Sequence, residues 1–293
     1  MIHTRSLLLL ILATAPLAAE EVPPYRSLGF LAFPPEVKLG LMSAVAIDQE
    51  DRIYVLHRGT PPLVALDKDG KFLRAWGEGL FKVPHGLRID RSGNLWTTDN
   101  GNHVLRKFDR EGKLLATLGT VDKPGAAKGE VLFRAPDDLV FDSQGNFYVA
   151  DSGNGRIVKL DAEGKFLTAW GKKGKADGEF ATAHSLAIDA DDRIYVGDRG
   201  NKRVQLFDSA GKHLATWGGF GNPFGMIVVG GELLASEGDL HQIFHLDRKT
   251  GKVVAKWGSP QELQLPHLMA LDSRGVLYVA EVNGKRVQRF GKR

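Results

Sequence analysis

Three histidines of this sequence occur in similar contexts, and histidine is a residue that can bind a metal or move a proton. His85 lies in PHGL, His184 in AHSL and His267 in LPH, each time at the start of an apolar segment. Neutral imidazoles suit Zn²⁺ and other borderline metals, and three protein ligands leave a fourth coordination position open for chemistry. The three residues therefore predict a zinc site of the catalytic type, provided that the fold brings them together.

An internal repeat gives the reason to expect that they meet. Each unit contains alternating apolar runs, which are separated by clusters such as D-x-x-G-N and D-x-x-G-K. Asp, Asn and Gly favour tight turns, and four short antiparallel strands per radial unit are typical of a propeller blade. The sequence therefore predicts an all-β fold, a six-bladed β-propeller. Its blades start near Met42, Pro84, Pro136, Ala183, Pro223 and Pro266.

The last unit contains only three strands and ends at Phe290. We expect the segment Arg26–Phe33, which precedes the first unit, to supply the missing fourth strand. Such pairing would protect the open edge of the last blade. One closed domain would then cover residues 22–291.

Equivalent positions of the blades lie on a ring around the central channel. The ring position of the histidines is occupied, in blade order, by Ser43, His85, Asp137, His184, Phe224 and His267. Histidine stands in every second blade, which chance rarely produces when histidine is 9 of 293 residues. The alternative to a metal site is a polar plug that holds ordered water. Asp137 is a candidate base or a partner of a ligating histidine, or equally an ordinary turn carboxylate.

Two arginines share a loop position in different blades. Arg58 and Arg199 each follow the second predicted strand, in blades one and four, which face each other across the ring. Two guanidinium groups that flank an axial metal could clamp a carboxylate through bidentate hydrogen bonds. Each could also be an ordinary surface arginine.

The N-terminus has the pattern of a secretory signal peptide over residues 1–19. His3 and Arg5 precede a short apolar run, and small residues at Ala18 and Ala19 come before the acidic Glu20. We expect cleavage there and an exported protein, periplasmic or secreted, that keeps no membrane attachment. An uncleaved membrane anchor is the alternative. The chain contains no cysteine, which excludes disulfides and thiolate metal ligands.

The charge balance does not indicate a nucleic-acid partner. Lys and Arg number 39 against 35 Asp and Glu, and this mild excess is spread over the chain. Basic residues in stretches such as GNHVLRKF alternate as they do on a solvated strand face. We expect a monomer whose partner is a small carboxylate-bearing or peptide ligand, or else another protein.

The repeats resemble those of NHL-repeat propellers. The segments PHGL, AHSL and LPH, together with HRG at His57–Gly59 and GDRGNKR at Gly197–Arg203, resemble peptidyl-α-hydroxyglycine α-amidating lyases. These propeller enzymes complete the C-terminal amidation of peptides. The resemblance covers essentially the whole chain after the N-terminal segment.

The resemblance implies a role for each candidate residue. His85, His184 and His267 would bind a catalytic zinc ion, and Arg58 and Arg199 would contact the substrate carboxylate. The implied reaction is C–N cleavage of an α-hydroxyglycine, which yields an amide and glyoxylate. Zinc would bind the hydroxyl and lower its pKa while a base takes the proton.

Two positions depart from the pattern of that family. The third-blade loop reads ADSGNGR at Ala150–Arg156 and lacks the family's catalytic tyrosine. Leu268 stands where the family has a calcium-binding aspartate, which argues against a structural Ca²⁺. Two functions therefore stay open. One is a zinc-dependent lyase in which metal-bound hydroxide or Asp137 replaces the tyrosine, and the other is a non-catalytic propeller that binds a protein or a ligand.

Overall fold

A computed structural model describes residues 24–125 and 131–293 of the protein. The predicted signal peptide, residues 1–19, lies outside these ranges. Within them the chain forms β-strands, together with two short 3-10 turns at Ser152–Asn154 and Arg199–Asn201. No helix in this part of the chain has the length and apolar character of a membrane span.

The first thirteen strands supply three complete sheets and one additional strand. The additional strand is β1 (Tyr25–Phe30). Blade one contains β2 (Met42–Ile47), β3 (Ile53–His57), β4 (Leu63–Leu66) and β5 (Phe72–Trp76). Blade two contains β6 (Pro84–Ile89), β7 (Leu95–Asp99), β8 (Val104–Phe108) and β9 (Leu114–Leu118). Blade three contains β10 (Pro136–Phe141), β11 (Phe147–Asp151), β12 (Arg156–Leu160) and β13 (Phe166–Trp170).

The remaining strands form the other half of the ring. Blade four contains β14 (Ala183–Ile188), β15 (Ile194–Asp198), β16 (Arg203–Phe207) and β17 (His213–Gly218). Blade five contains β18 (Pro223–Val229), β19 (Glu232–Glu237), β20 (Gln242–Asp247) and β21 (Val253–Trp257). Blade six contains β22 (Pro266–Leu271), β23 (Leu277–Glu281) and β24 (Arg286–Lys292).

Strand β1 pairs with β24 and is the outer strand of the sixth sheet. The pairing is antiparallel, with Tyr25 opposite Lys292 and Phe30 opposite Gln288. This strand is slightly earlier and shorter than the expected segment Arg26–Phe33. All six sheets therefore have four strands, and one of them combines strands from both ends of the described chain.

The six first strands of the blades line the central axis. Strands β2, β6, β10, β14, β18 and β22 contact one another in a closed cycle. The prediction of a six-bladed β-propeller is confirmed. Because one end of every first strand faces the same end of the channel, side chains at equivalent positions converge there.

Turn chemistry explains why each first strand reverses into the second. In blade two, Asp90 Oδ1 accepts hydrogen bonds from the backbone N–H groups of Ser92 and Asn94, both at 2.9 Å, and Gly93 takes a positive φ of 81°. Asp90 Oδ2 also accepts the indole N–H of Trp96 at 3.0 Å. In other blades the equivalent aspartate binds the phenols of Tyr54, Tyr148, Tyr195 and Tyr278.

The hydrophobic core lies between neighbouring blades, not at the axis. Between blades three and four, Tyr148 and Ile157 pack in one cluster with Phe180 and Phe207. The rings of Phe180 and Phe207 are 5.8 Å apart. Face-to-face packing of sheets uses the inward side chains of both partners, so the large aromatic residues of the core lie between blades.

An ion pair links three blades within the channel. Arg88 on β6 donates from Nη2 to Asp138 Oδ2 on β10 at 2.6 Å and to the carbonyl oxygen of Leu186 at 3.1 Å. Its Nε donates to the carbonyl oxygen of Leu139 at 3.2 Å. Asp138 is fully buried, and its Oδ2 also accepts the backbone N–H of Leu186 at 2.9 Å. Burial raises the pKa of Asp138, and the charge of Arg88 opposes that shift.

Replacing Arg88 by methionine tests this link. The variant leaves the Asp138 carboxylate buried without its cation, so we expect the free energy of unfolding to fall by about 3–5 kcal/mol. Urea unfolding followed by tryptophan fluorescence measures the change. The double variant Arg88→Met/Asp138→Asn removes the orphaned charge and keeps an acceptor for Leu186, so it should recover most of the loss. Equal instability of the single and double variants would contradict the ion-pair explanation.

Candidate metal centre at the propeller axis

The ring position coincides with an irregularity of the first strand in every blade. The ladder between the first and second strand shifts register across this position in all six sheets. A bulge of this kind turns a side chain away from the regular alternation. In blade two the next residue must be small, because a Cβ on Gly86 would lie 2.8 Å from the carbonyl oxygen of Asp137.

The three predicted histidines meet at the axis. Their ring centroids are 4.8 Å apart for His85 and His184, 4.9 Å for His85 and His267, and 5.1 Å for His184 and His267. The side chains are 5%, 2% and 3% exposed. One ligand atom from each lies within 4.8 Å of the others. The arrangement is close to an equilateral triangle of imidazoles.

Hydrogen bonds to backbone carbonyls fix the tautomer of each imidazole. His85 Nδ1 lies 2.8 Å from the carbonyl oxygen of Asp137, and His184 Nδ1 lies 2.8 Å from that of Phe224. His267 Nδ1 lies 2.5 Å from the carbonyl oxygen of Ser43. A carbonyl oxygen can only accept, so each Nδ1 carries the proton and each Nε2 keeps a lone pair.

The environment keeps the imidazoles neutral. Burial lowers the pKa of His85 to about 3, and the charges of Arg58 and Arg199 lower it further. Burial also holds the pKa values of His184 and His267 well below the ordinary value. Neutral rings with free Nε2 lone pairs, oriented by a second hydrogen bond, are the usual form of metal-binding histidine. The residues therefore fit a single metal ion.

Asp137 lies beside this triangle. Its Oδ1 is 3.8 Å from His85 Nε2 and accepts a hydrogen bond from the side-chain amide of Asn100. Burial raises the pKa of Asp137 to about 6, and the Ser152 hydroxyl, the charge of Arg199 and the Asn100 hydrogen bond oppose the shift. Asn100 was not predicted as a site residue, although it occupies the loop position of Arg58 and Arg199 in blade two.

A cavity of about 430 Å³ opens above the histidines, and the two predicted arginines line it with His85, His184 and Asp137. Neither Arg58 nor Arg199 forms a hydrogen bond or an ion pair through its guanidinium with any residue in the described ranges. Two guanidinium groups without an ion pair in the described ranges thus border a cavity that His85 and His184 line, with the His267 ring 4.9 Å from that of His85. An anion that also reaches the axis suits this combination.

Hydrogen bonds to the buried His57 hold the loop that contains Arg58. His57 is buried, and its Nδ1 accepts the backbone N–H groups of Gly59 at 3.0 Å and Gly40 at 3.3 Å. A Cβ on Gly59 would lie 1.9 Å from the carbonyl oxygen of Lys38, so only glycine fits. In the other blades a buried carboxylate takes the place of His57, at Asp99, Asp151, Asp198, Glu237 and Glu281. Burial lowers the pKa of His57 to about 4, which keeps this position uncharged next to Arg58.

None of the five tyrosines lines the cavity. Tyr54, Tyr148, Tyr195 and Tyr278 bind turn aspartates. Tyr25 stacks on Trp257, with ring centroids 5.6 Å apart. Ser152 occupies the third-blade loop position and donates its hydroxyl to the carbonyl oxygen of Ala183.

Comparison with known proteins agrees with the repeat pattern. Residues 81–108, 133–160 and 180–207 match the NHL repeat. These three segments therefore have the sequence pattern of NHL repeats. The matched segments cover the first three strands of blades two, three and four.

The chain is also similar to amidating enzymes, as the sequence predicted. It is 29% identical over 300 residues to peptidyl-glycine alpha-amidating monooxygenase B of Xenopus laevis, a match that covers 87% of this chain and 34% of the relative. It is 30% identical over 165 residues to peptidyl-alpha-hydroxyglycine alpha-amidating lyase 1 of Drosophila melanogaster, covering 46% of this chain and 30% of the relative. The chain thus spans about a third of the length of these relatives.

Two further similarities give no information about the activity of this chain. NHL repeat-containing protein 3 of Homo sapiens is 30% identical over 164 residues, covering 52% of this chain and 47% of that protein. A solved structure of streptogramin B lyase superimposes with a TM-score of 0.68 and covers 92% of this chain and 98% of that one. Its sequence identity is 13%, so this likeness concerns the fold alone.

Metal analysis tests the centre directly. We expect the purified protein, supplied with Zn²⁺, to hold about one ion per chain, because three neutral imidazoles face one point. His184→Ala should lose most of this ion, since it removes one of three ligands. His213→Ala is the matched control, because His213 lies on the outer strand β17 and bonds Thr216. Inductively coupled plasma mass spectrometry after gel filtration gives the stoichiometry, and zinc retention by His184→Ala would argue against the site.

Proposed function

We propose that this chain is an exported lyase that binds zinc through His85, His184 and His267 and cleaves the C–N bond of α-hydroxyglycine-type substrates. One observation carries the proposal. Three imidazoles with free Nε2 lone pairs meet beside a cavity that is bordered by two guanidinium groups, and neither of these groups forms a hydrogen bond or an ion pair with a described residue. The similarity to amidating lyases supports the reaction class.

The arginines give the substrate its orientation. An N-acyl-α-hydroxyglycine has one carboxylate, one hydroxyl and one amide on or next to the same carbon. Arg58 and Arg199 would hold the carboxylate by charge-assisted hydrogen bonds, which are stronger than neutral ones and can be bidentate. The hydroxyl of the held substrate would then face the axis. Zinc, when bound, supplies a Lewis acid that lowers the pKa of this hydroxyl.

Asp137 is the group of this chain best placed to move the proton. Its Oδ1 lies 3.8 Å from His85 Nε2, at the edge of the cavity. The carboxylate would accept the hydroxyl proton while the O–H electron pair forms the C=O bond of glyoxylate. The C–N bond breaks, its electron pair stays on nitrogen, and Asp137 returns the proton to that nitrogen. The products are a primary amide and glyoxylate, so atoms and charge balance without a further reactant.

One observation favours a second function, in which the propeller binds a carboxylate ligand or a protein without turning it over. No tyrosine lines the cavity, although the resemblance implies one at the third blade. The two functions differ in one measurable product, because only the lyase releases glyoxylate.

Glyoxylate release by the zinc-loaded wild type separates the two functions, and Asp137→Asn tests which group moves the proton. If Asp137 moves the proton, we expect kcat for glyoxylate release from N-benzoyl-α-hydroxyglycine to fall about 10²–10⁴-fold, the usual contribution of general acid–base catalysis. Zinc content should stay unchanged, because the three imidazoles remain. A zinc-loaded wild-type protein that releases no glyoxylate would support the binding function. Full activity in Asp137→Asn would assign the proton transfer to another group.

Replacing Arg58 by glutamine tests the carboxylate clamp. We expect KM to rise about 10- to 100-fold, because one charge-assisted hydrogen-bonding group is lost. Zinc content should again be unchanged. Arg26→Gln is the control, since Arg26 is exposed on β1 of blade six. An unchanged KM in Arg58→Gln would show that Arg58 is an ordinary surface residue.

A further inference from the structure

Phe224 is the apolar exception on the ring around the metal centre. It holds the ring position in blade five, where Ser43, Asp137 and the three histidines hold it in the others. Its ring lies 5.5 Å from that of His184 and 6.1 Å from that of His267, both edge-on. The side chain is 9% exposed. An aromatic group therefore stands between two of the three candidate ligands.

An arginine lies against this ring. Arg199 Cζ lies 4.9 Å from the centroid of the Phe224 ring, which is the geometry of a cation–π contact. No acidic side chain of the described residues pairs with Arg199. The guanidinium N–H groups form no hydrogen bond with the described residues, so they remain available to an anion while the ring holds the cation.

Arginines of the adjacent third strands are held in a different way. Arg203 donates from Nε to Asp198 at 2.9 Å, and Arg106 donates from Nη1 to Asp99 at 3.0 Å. Both acids are buried, so these guanidinium groups are neutralised by the fold. An acid in the place of Phe224 would neutralise Arg199 in the same manner. The aromatic ring contacts Arg199 without forming an ion pair, so among the described residues its guanidinium has no carboxylate bound to it.

The position of the Phe224 ring is itself well determined. A Cβ on Gly238, in the loop after β19, would lie 3.0 Å from two atoms of the ring, so the loop packs directly on it. The backbone carbonyl of Phe224 accepts the Nδ1 proton of His184 at 2.8 Å. One residue therefore contacts the arginine through its side chain and orients a candidate metal ligand through its backbone.

We propose that Phe224 is a positioning residue, which holds the Arg199 guanidinium beside the metal centre and keeps it free to bind the substrate carboxylate. The proposal rests on the function proposed above, because it assigns Arg199 to that carboxylate. It predicts that the ring face affects affinity for the carboxylate, whereas the backbone carbonyl of the same residue supports the metal ligand. A side chain without a π face at this position should therefore weaken the first property and spare the second.

Phe224→Leu is the variant that separates them, because it keeps the carbonyl and an apolar side chain but has no aromatic face. The probe is N-benzoylglycine, which has the carboxylate and amide of a substrate but no hydroxyl to react. Calorimetry on zinc-loaded protein should show about a 2- to 30-fold weaker binding of the probe in the variant. The zinc stoichiometry should equal that of the wild type. Phe220→Leu makes the same change at a buried residue that packs on Phe244. The affinity of this control variant for the probe should equal that of the wild type.

A double-mutant cycle with Arg199→Gln gives the decisive comparison. If Phe224 acts through Arg199, then Phe224→Leu should not reduce the affinity for the probe any further once Arg199 is replaced. An equal loss in both backgrounds, or no loss in either, would overturn the proposal. Phe224→Met takes the place of Phe224→Leu in the cycle if thermal unfolding shows that the leucine variant is not folded.

The same experiment distinguishes this proposal from the function on which it rests. Binding of the probe by the wild type with no effect of Phe224→Leu would overturn the role of Phe224 alone. No binding of the probe by zinc-loaded wild type would overturn the carboxylate site, and with it the role of Phe224. Glyoxylate release, measured separately, decides whether the carboxylate site is catalytic.

Discussion

Hydrogen bonds between neighbouring blades hold the centre of this propeller. Each of the three axial imidazoles donates its Nδ1 proton to a carbonyl oxygen of the next blade around the ring, from His85 to Asp137, His184 to Phe224 and His267 to Ser43. An isolated blade could not orient its own histidine. The free lone pairs, the low proton affinity and the convergence of the three rings all follow from closed packing of the six sheets.

The three intervening ring residues have separate tasks, which explains the alternation. All of them offer a backbone carbonyl to a histidine, but their side chains differ. Ser43 donates its hydroxyl to the carbonyl oxygen of Pro84 at 2.7 Å and ties blade one to blade two. Asp137 brings a carboxylate to the edge of the cavity, and Phe224 lies under Arg199. The ring thus has threefold symmetry in its backbone contacts and none in its chemistry.

The sequence was sufficient to predict the repeat, the number of blades and the meeting of the three histidines, because these follow from periodicity alone. It could not predict which imidazole nitrogen faces the axis, since that depends on carbonyl groups 40 to 224 residues away. The contact of Asn100 with Asp137 and the ion pair of Arg88 with Asp138 were missed for the same reason. Both join different blades at positions where the repeat varies, and a varying position gives no periodic signal.

The bond between His267 and Ser43 makes the orientation of the third histidine depend on closure of the ring. It joins residues 224 positions apart, from the last blade to the first. The full set of oriented ligands is therefore present only when the first and last blades are in contact. An ion that binds three oriented imidazoles would select the closed ring over partly folded forms and stabilise it by mass action. Occupancy of the centre would then report that folding is complete.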